Sequence, residues 1–146
     1  MRNSDSALFQ TPLENVIGIS GDANTLARNN ASFFGSDQNS SGWYSENGVI
    51  NYNNSAQYTA ATYTTGDIIQ IAIDLDNNRL FYGKNGTWQN SGNPTTSTGA
   101  ITLNGASACN DGAYFICQAD DTGTSAVSKF EFNFGNGYFG TTAVSS

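Results

Sequence analysis

Histidine is missing from this chain of 146 residues, which removes the side chain most used as a general base near neutral pH and as a zinc ligand. A Ser, His, Asp triad cannot be assembled without it. Bases are scarce as well. Arg2, Arg28, Arg79, Lys84 and Lys129 stand singly against 12 acids, for a formal net charge of -7. No basic stripe is present to neutralise phosphates, so nucleic acid and anionic membrane are not expected partners. The sequence has no apolar run near the ~20 residues of a spanning helix, and Met1-Arg2-Asn3-Ser4-Asp5 does not open a secretory leader. Membrane insertion is therefore not expected. Two cysteines, Cys109 and Cys117, are the whole complement. In a chain of this size such a pair is more often two buried thiols than a bridge, and it fixes no redox compartment. No glycine-rich phosphate loop with its lysine occurs either.

What the chain has in quantity is Asn 19, Gly 16, Ser 16 and Thr 15. These types disfavour helix interiors and favour turns, which excludes an all-helical fold. The 9 Phe, 7 Tyr and 2 Trp separate it from a disordered polar tract by supplying large apolar side chains for a core. The length suits one domain.

The period of apolar residues is that of strands. Residues 1–14 show no sustained period and read as an N-terminal arm, with 15–146 as the domain. Val16-Ile17-Gly18-Ile19 stops at Ser20-Gly21-Asp22, and a long polar stretch to Gly42 carries Phe33-Phe34. Trp43-Tyr44, the Asn47-Gly48 turn and Val49-Ile50-Asn51-Tyr52 follow. From Asp67 to Leu75 the alternation is strict, with Ile69, Ile71, Ile73 and Leu75 on one face and Gln70, Ala72 and Asp74 on the other. Asp76-Asn77-Asn78 tolerates positive φ, so Arg79 to Lys84 returns as the second arm of a hairpin, closed by Asn85-Gly86 before Trp88. Tyr114 to Cys117 and the alternating Phe130, Phe132 and Phe134 add further strands. Short strands separated by turn signals predict an antiparallel β-sandwich in which the isoleucine stripe packs against the phenylalanine stripe.

In order and spacing these motifs resemble a SPRY domain, a β-sandwich family related in architecture to concanavalin A-like lectins. The resemblance centres on Gly66 to Asp76, Leu80-Phe81-Tyr82 and Lys84-Asn85-Gly86. Ile17-Gly18-Ile19, Phe34-Gly35-Ser36-Asp37, Gly42-Trp43-Tyr44, Tyr114-Phe115 and Asn133-Phe134-Gly135 support it. It implies an all-β, concanavalin A-like jelly roll. Residues 1–14 do not match the family's opening strands, so an open sheet edge and an oligomer or larger complex are expected. The polar, histidine-free style is most like versions found in bacteriophage tail fibres and other virion proteins.

Catalysis is not expected. The three glutamates, at 14, 46 and 131, are far apart, and Asp74 and Asp76 flank a turn where Asp favours local backbone hydrogen bonds. The calcium-loop imitation at Asp74 fails at Arg79 and Asn85, which stand where Gly and Glu are required. Asp120 and Asp121 are the looser alternative; no metal or cofactor is expected. The expected function is a non-catalytic recognition or assembly module on a virion or extracellular surface, binding a glycan or a protein. A purely structural virion component and a cellular adaptor that binds a short peptide are the alternatives. The segment before Gly35-Ser36 matches the loop lining the ligand face of peptide-binding SPRY domains, which makes Asn29, Asn30, Phe33 and Phe34 candidate ligand contacts. Trp88, beside the Asn85-Gly86 turn, is a further candidate for stacking on a sugar ring.

Overall fold

The computed structural model describes residues 15–22, 34–105, 112–120, 130–134, 138–139 and 142–143. The expected arm at residues 1–14 and the candidates Asn29, Asn30 and Phe33 lie outside them, as do Cys109 and Asp121. Among the described residues every element is a strand. In chain order these are β1 (Asn15–Ser20), β2 (Ser40–Tyr44), β3 (Val49–Tyr52), β4 (Ser55–Thr59), β5 (Ile69–Asp74) and β6 (Arg79–Lys84). They continue as β7 (Thr87–Trp88), β8 (Ile101–Thr102), β9 (Phe115–Asp120), β10 (Tyr138–Phe139) and β11 (Thr142–Ala143).

Two antiparallel sheets carry the fold. The larger has the order β4-β3-β2-β1-β9, and the smaller is built on β5-β6-β7 with β8 also paired to β6. β10 and β11 form a separate small hairpin. Register decides which side chains meet. Ile17 lies opposite Trp43 and Ile19 opposite Ser41, Ile19 also opposite Ile116, and Trp43 opposite Ile50. In the smaller sheet Ile71 lies opposite Tyr82 and Ile73 opposite Leu80. Residues directly opposite share a face, so each sheet presents one apolar surface.

Those surfaces pack on each other. Ile17, Ile19, Trp43, Ile50 and Tyr52 join Leu80, Tyr82, Ile101 and Leu103 in one buried cluster. The Trp43 ring meets the Tyr82 ring edge-on, with centroids 5.8 Å apart, and Tyr82 Oη lies 3.1 Å from Ser41 Oγ across the interior. Tyr63 completes the aromatic group at 5.3 Å from Trp43, and its hydroxyl donates to the Asn15 and Trp43 carbonyls. The all-β sandwich expected from the sequence is the observed fold.

Two expectations about the core are corrected. Leu75 is 59% exposed because β5 ends at Asp74 and Leu75 begins the turn. The phenylalanine stripe does not face the isoleucines. Residues 130–134 form no strand, Phe132 and Phe134 are 46% and 82% exposed, and their rings stack on one another at 6.3 Å. The layer opposite Ile69, Ile71 and Ile73 comes from β1, β2 and β3 instead. Alternation marks a face, but only ladder partners decide what that face meets.

Candidate functional site

The outer surfaces of the two sheets are also partly covered. On the larger sheet, residues 34–39 fold back over β2. A Cβ on Gly42 would lie 2.6 Å from Phe34 Cβ and 2.8 Å from Val16 Cγ2, so only glycine lets this turn sit so close. Tyr44 Oη donates to the Phe34 carbonyl at 3.1 Å. Phe34 is therefore half-buried against the sheet rather than standing free of it. On the smaller sheet Trp88 lies opposite Gly83 and covers Phe81, with ring centroids 6.3 Å apart. Phe81 is 2% exposed as a result. Phe34 and Trp88 thus sit on opposite outer faces of the sandwich and do not form one site.

One end of the sandwich gathers four connections. Asp37 Oδ1 accepts from the Asn39 amide and from Ser40 Oγ, while Ser40 Oγ also accepts from the Gly35 amide. This fixes the turn leading into β2. Asn53 and Asn54 link β3 to β4 with φ of 52° and 57°, and their amides donate to the Asp37 and Gly35 carbonyls. Two consecutive positive φ values are what a two-residue hairpin turn requires, and Asn tolerates them. The β5–β6 turn is closed by Asp74, which accepts from the Asn77 amide at 3.0 Å and from Asn77 Nδ2 at 2.7 Å. The Asn78 carbonyl then accepts from the Leu103 amide. The Asn104 amide donates to Tyr52 Oη, and Asn104 Nδ2 reaches Gln38 Oε1 at 3.4 Å.

The outcome is a rim on which Gln38, Asn53, Asn54, Asn77 and Asn104 are exposed on backbones tied to one another. Amides offer both donors and acceptors, and a pre-ordered surface of them suits polar recognition at low entropic cost. Asn53, Asn54, Gln38 and Asn104 were not among the residues singled out from the sequence. The adjacent Asn53-Asn54 pair after Val49–Tyr52 was the available signal, since it encodes the turn.

The opposite end is held by charge. Lys84 Nζ lies 2.9 Å from Asp67 Oδ2 and donates to the Thr62 carbonyl. Asp67 also accepts from the Thr64 amide and from Asn85 Nδ2, and Asn85 Oδ1 accepts from the Ile68 amide. Desolvation opposes the Asp67 charge, but the bonds from Lys84, Thr64 and Asn85 together outweigh it and hold the carboxyl below its ordinary value. Asp74 is likewise lowered, chiefly by the Asn77 side chain and amide. Asp74 is engaged in closing its turn, as the sequence expectation had it. Burial pushes the Cys117 thiol up to about 12, as it does Tyr58, and raises Tyr63 and Tyr82 further. Cys117 is a buried free thiol. Among the described residues no group of three or more His, Cys, Asp or Glu is placed to hold a metal ion, and no helix is long and apolar enough to cross a membrane.

Two antiparallel sheets packed face to face around one buried aromatic cluster define the class of antiparallel β-sandwich domains. The family model for the SPRY domain matches residues 8–101, and the chain belongs to that family. No curated protein matches the chain. SPRY domains are in general non-catalytic modules of protein–protein interaction.

Proposed function

We propose that this chain recognises a partner through the loop rim at the Asn53 end of the sandwich, as a component of a virion or of another extracellular appendage. The observation that supports this reading most is the convergence of four connections whose backbones are cross-tied and whose amide side chains point outward. The partner is a surface protein or a glycan, both of which present hydroxyls and amides to such a rim. Asn29, Asn30 and Phe33 belong to the same β1–β2 connection, and Phe34 anchors its end to the sheet. Trp88, on the other outer face, serves there as the cover of Phe81. The virion setting is supported by the histidine-free, Asn/Ser/Thr/Gly-rich composition.

The test is a binding screen of the full chain against a glycan array and against the surface proteins of its source. Gln38→Ala and Asn104→Ala, with Asn53→Gly to keep the positive φ, are assayed in parallel. Loss of binding with unchanged melting is the expected result. Binding that survives all three substitutions would move the site elsewhere. A chain that binds only neighbouring subunits of a particle would be a structural component instead.

A further inference from the structure

The β4–β5 connection carries the chain from the larger sheet to the smaller, and residues 60–65 cross between them beside Trp43. Of residues 61–65 only Tyr63 is buried, and its ring meets Trp43 edge-on. The crossing is tied to both sheets. On the larger-sheet side the Ala61 carbonyl accepts from Trp43 Nε1 at 3.1 Å, and the Tyr63 amide donates to the Ser45 carbonyl. On the smaller-sheet side Gln89 Oε1 accepts from the Ala61 amide, and the Thr62 carbonyl accepts from Lys84 Nζ at 2.7 Å.

Asp67 fastens the far end of the crossing. Its Oδ2 accepts from the Thr64 amide at 2.9 Å and lies 2.9 Å from Lys84 Nζ, while Oδ1 accepts from Asn85 Nδ2 at 2.7 Å. The Asp67 amide donates back to the Thr64 carbonyl, closing a turn with φ of 91° at Gly66. All three bonds to the side chain need a bare carboxylate. An ionised Asp only accepts, whereas a protonated one carries a donor hydrogen that competes with an N–H for the same lone pairs. Lys84 then also loses its counter-charge. Against an opposing desolvation these bonds favour the ionised form, so they are present above the ordinary carboxylate pKa and lost as pH falls through the folded one.

We propose that residues 60–65 form an acid-released strap: protonating Asp67 unclasps it from the smaller sheet and opens the interior beside Trp43 while both sheets stay paired. The ladders that join β1 to β2 and β5 to β6 involve none of residues 60–67, so they are not dismantled when the strap lifts. Among the described residues Lys84 is the charged group that acts on Asp67. On the larger-sheet side the ionisable neighbours, Tyr63 and Tyr44, are phenols that stay neutral in acid. Glu46 on the β2–β3 turn and Asp120 at the end of β9 reach the same end of the sandwich, and substitution at Asp67 separates its proton from theirs. The strap involves neither Asn53 nor Asn104, so it stands or falls apart from the loop-rim reading.

Native-state hydrogen exchange of the full chain, read by NMR from about pH 7 to about pH 3 in low urea and corrected for intrinsic rates, tests the strap. The amides of Ala61, Tyr63 and Thr64 and the Trp43 indole N–H are expected to exchange through an opening smaller than global unfolding and insensitive to urea. Their opening constant should rise about tenfold or more in acid, and Asp67→Asn should raise it comparably at neutral pH and flatten its dependence on pH. Lys84→Met, which keeps an apolar stem and removes the charge, should loosen the same four groups at neutral pH. The proposal is overturned if these groups exchange only together with the strand amides of β1, β2 and β6. It is equally overturned if Asp67→Asn or Lys84→Met leaves their opening constant at the parent's value, or if the Asp67→Asn strap still opens in acid as the parent's does.

Discussion

Tyr82 and Ser41 come from different sheets, and their hydroxyls meet at 3.1 Å in the interior, so their coupling reports on the sandwich as a whole. Tyr82→Phe keeps the ring against Trp43 and removes only the oxygen. The net value of a neutral hydrogen bond is about 0.5–1.5 kcal/mol, and a buried group left without its partner costs about 1–3 kcal/mol. Ser41 is 0% exposed, so Tyr82→Phe falls in the second case, and a loss of about 1–2 kcal/mol is expected. Ser41→Ala leaves the Tyr82 hydroxyl in the same position and should cost a similar amount. When both oxygens are removed together nothing is left unsatisfied, so the double variant should lose less than the sum, with a coupling of about 1 kcal/mol. Urea unfolding of the four proteins, with equal m-values required, measures it. Losses that add without coupling would refute the face-to-face packing at this point.

Other consequences follow from single sites. Gly42→Ala should drive the Phe34 turn off the sheet, since its Cβ would meet Phe34 Cβ and Val16 Cγ2 inside contact distance; a loss of about 1–3 kcal/mol is expected, with amide shifts over residues 34–39, and an unchanged spectrum would contradict it. Asp67 has its folded pKa held below the ordinary value, so the stability it contributes is present above the ordinary carboxylate pKa and disappears as pH falls through the folded one. Asp67→Asn should accordingly be less stable than the parent at neutral pH and lose less on acidification from about pH 5 to about pH 2, as read by urea midpoints. In a Cys109→Ser background the Cys117 thiol, raised to about 12 by burial, should resist a thiol reagent at mildly alkaline pH and react fully in urea; prompt reaction in buffer would remove it from the interior.

Local pattern made much of the fold legible. The strict alternation after Asp67 is β5, Arg79–Lys84 and Val49–Tyr52 are the strands expected, and Trp43 lies at 0% exposure in the core. Asn78 and Asn85 adopt φ of 55° and 49°, as turn chemistry requires. β4 was not legible, because Ser55–Thr59, the outermost strand of its sheet among the described residues, is largely exposed along its length and carries no apolar alternation. The phenylalanine stripe misled for the opposite reason: it has the period of a strand without ladder partners among the described residues. The rim was only half legible. Its residues are turn formers, and what brings Gln38 to Asn104 is pairing between strands distant in the chain, which no local pattern carries.

The most direct test of rim recognition is hydrogen exchange of the full chain, alone and saturated with the surface protein or glycan that the binding screen returns. Protection is expected at residues 34–39, 53–54, 75–78 and 102–105, with the Asp67–Lys84–Asn85 end unchanged. Protection confined to that opposite end, or to the strands around Trp88, would contradict it.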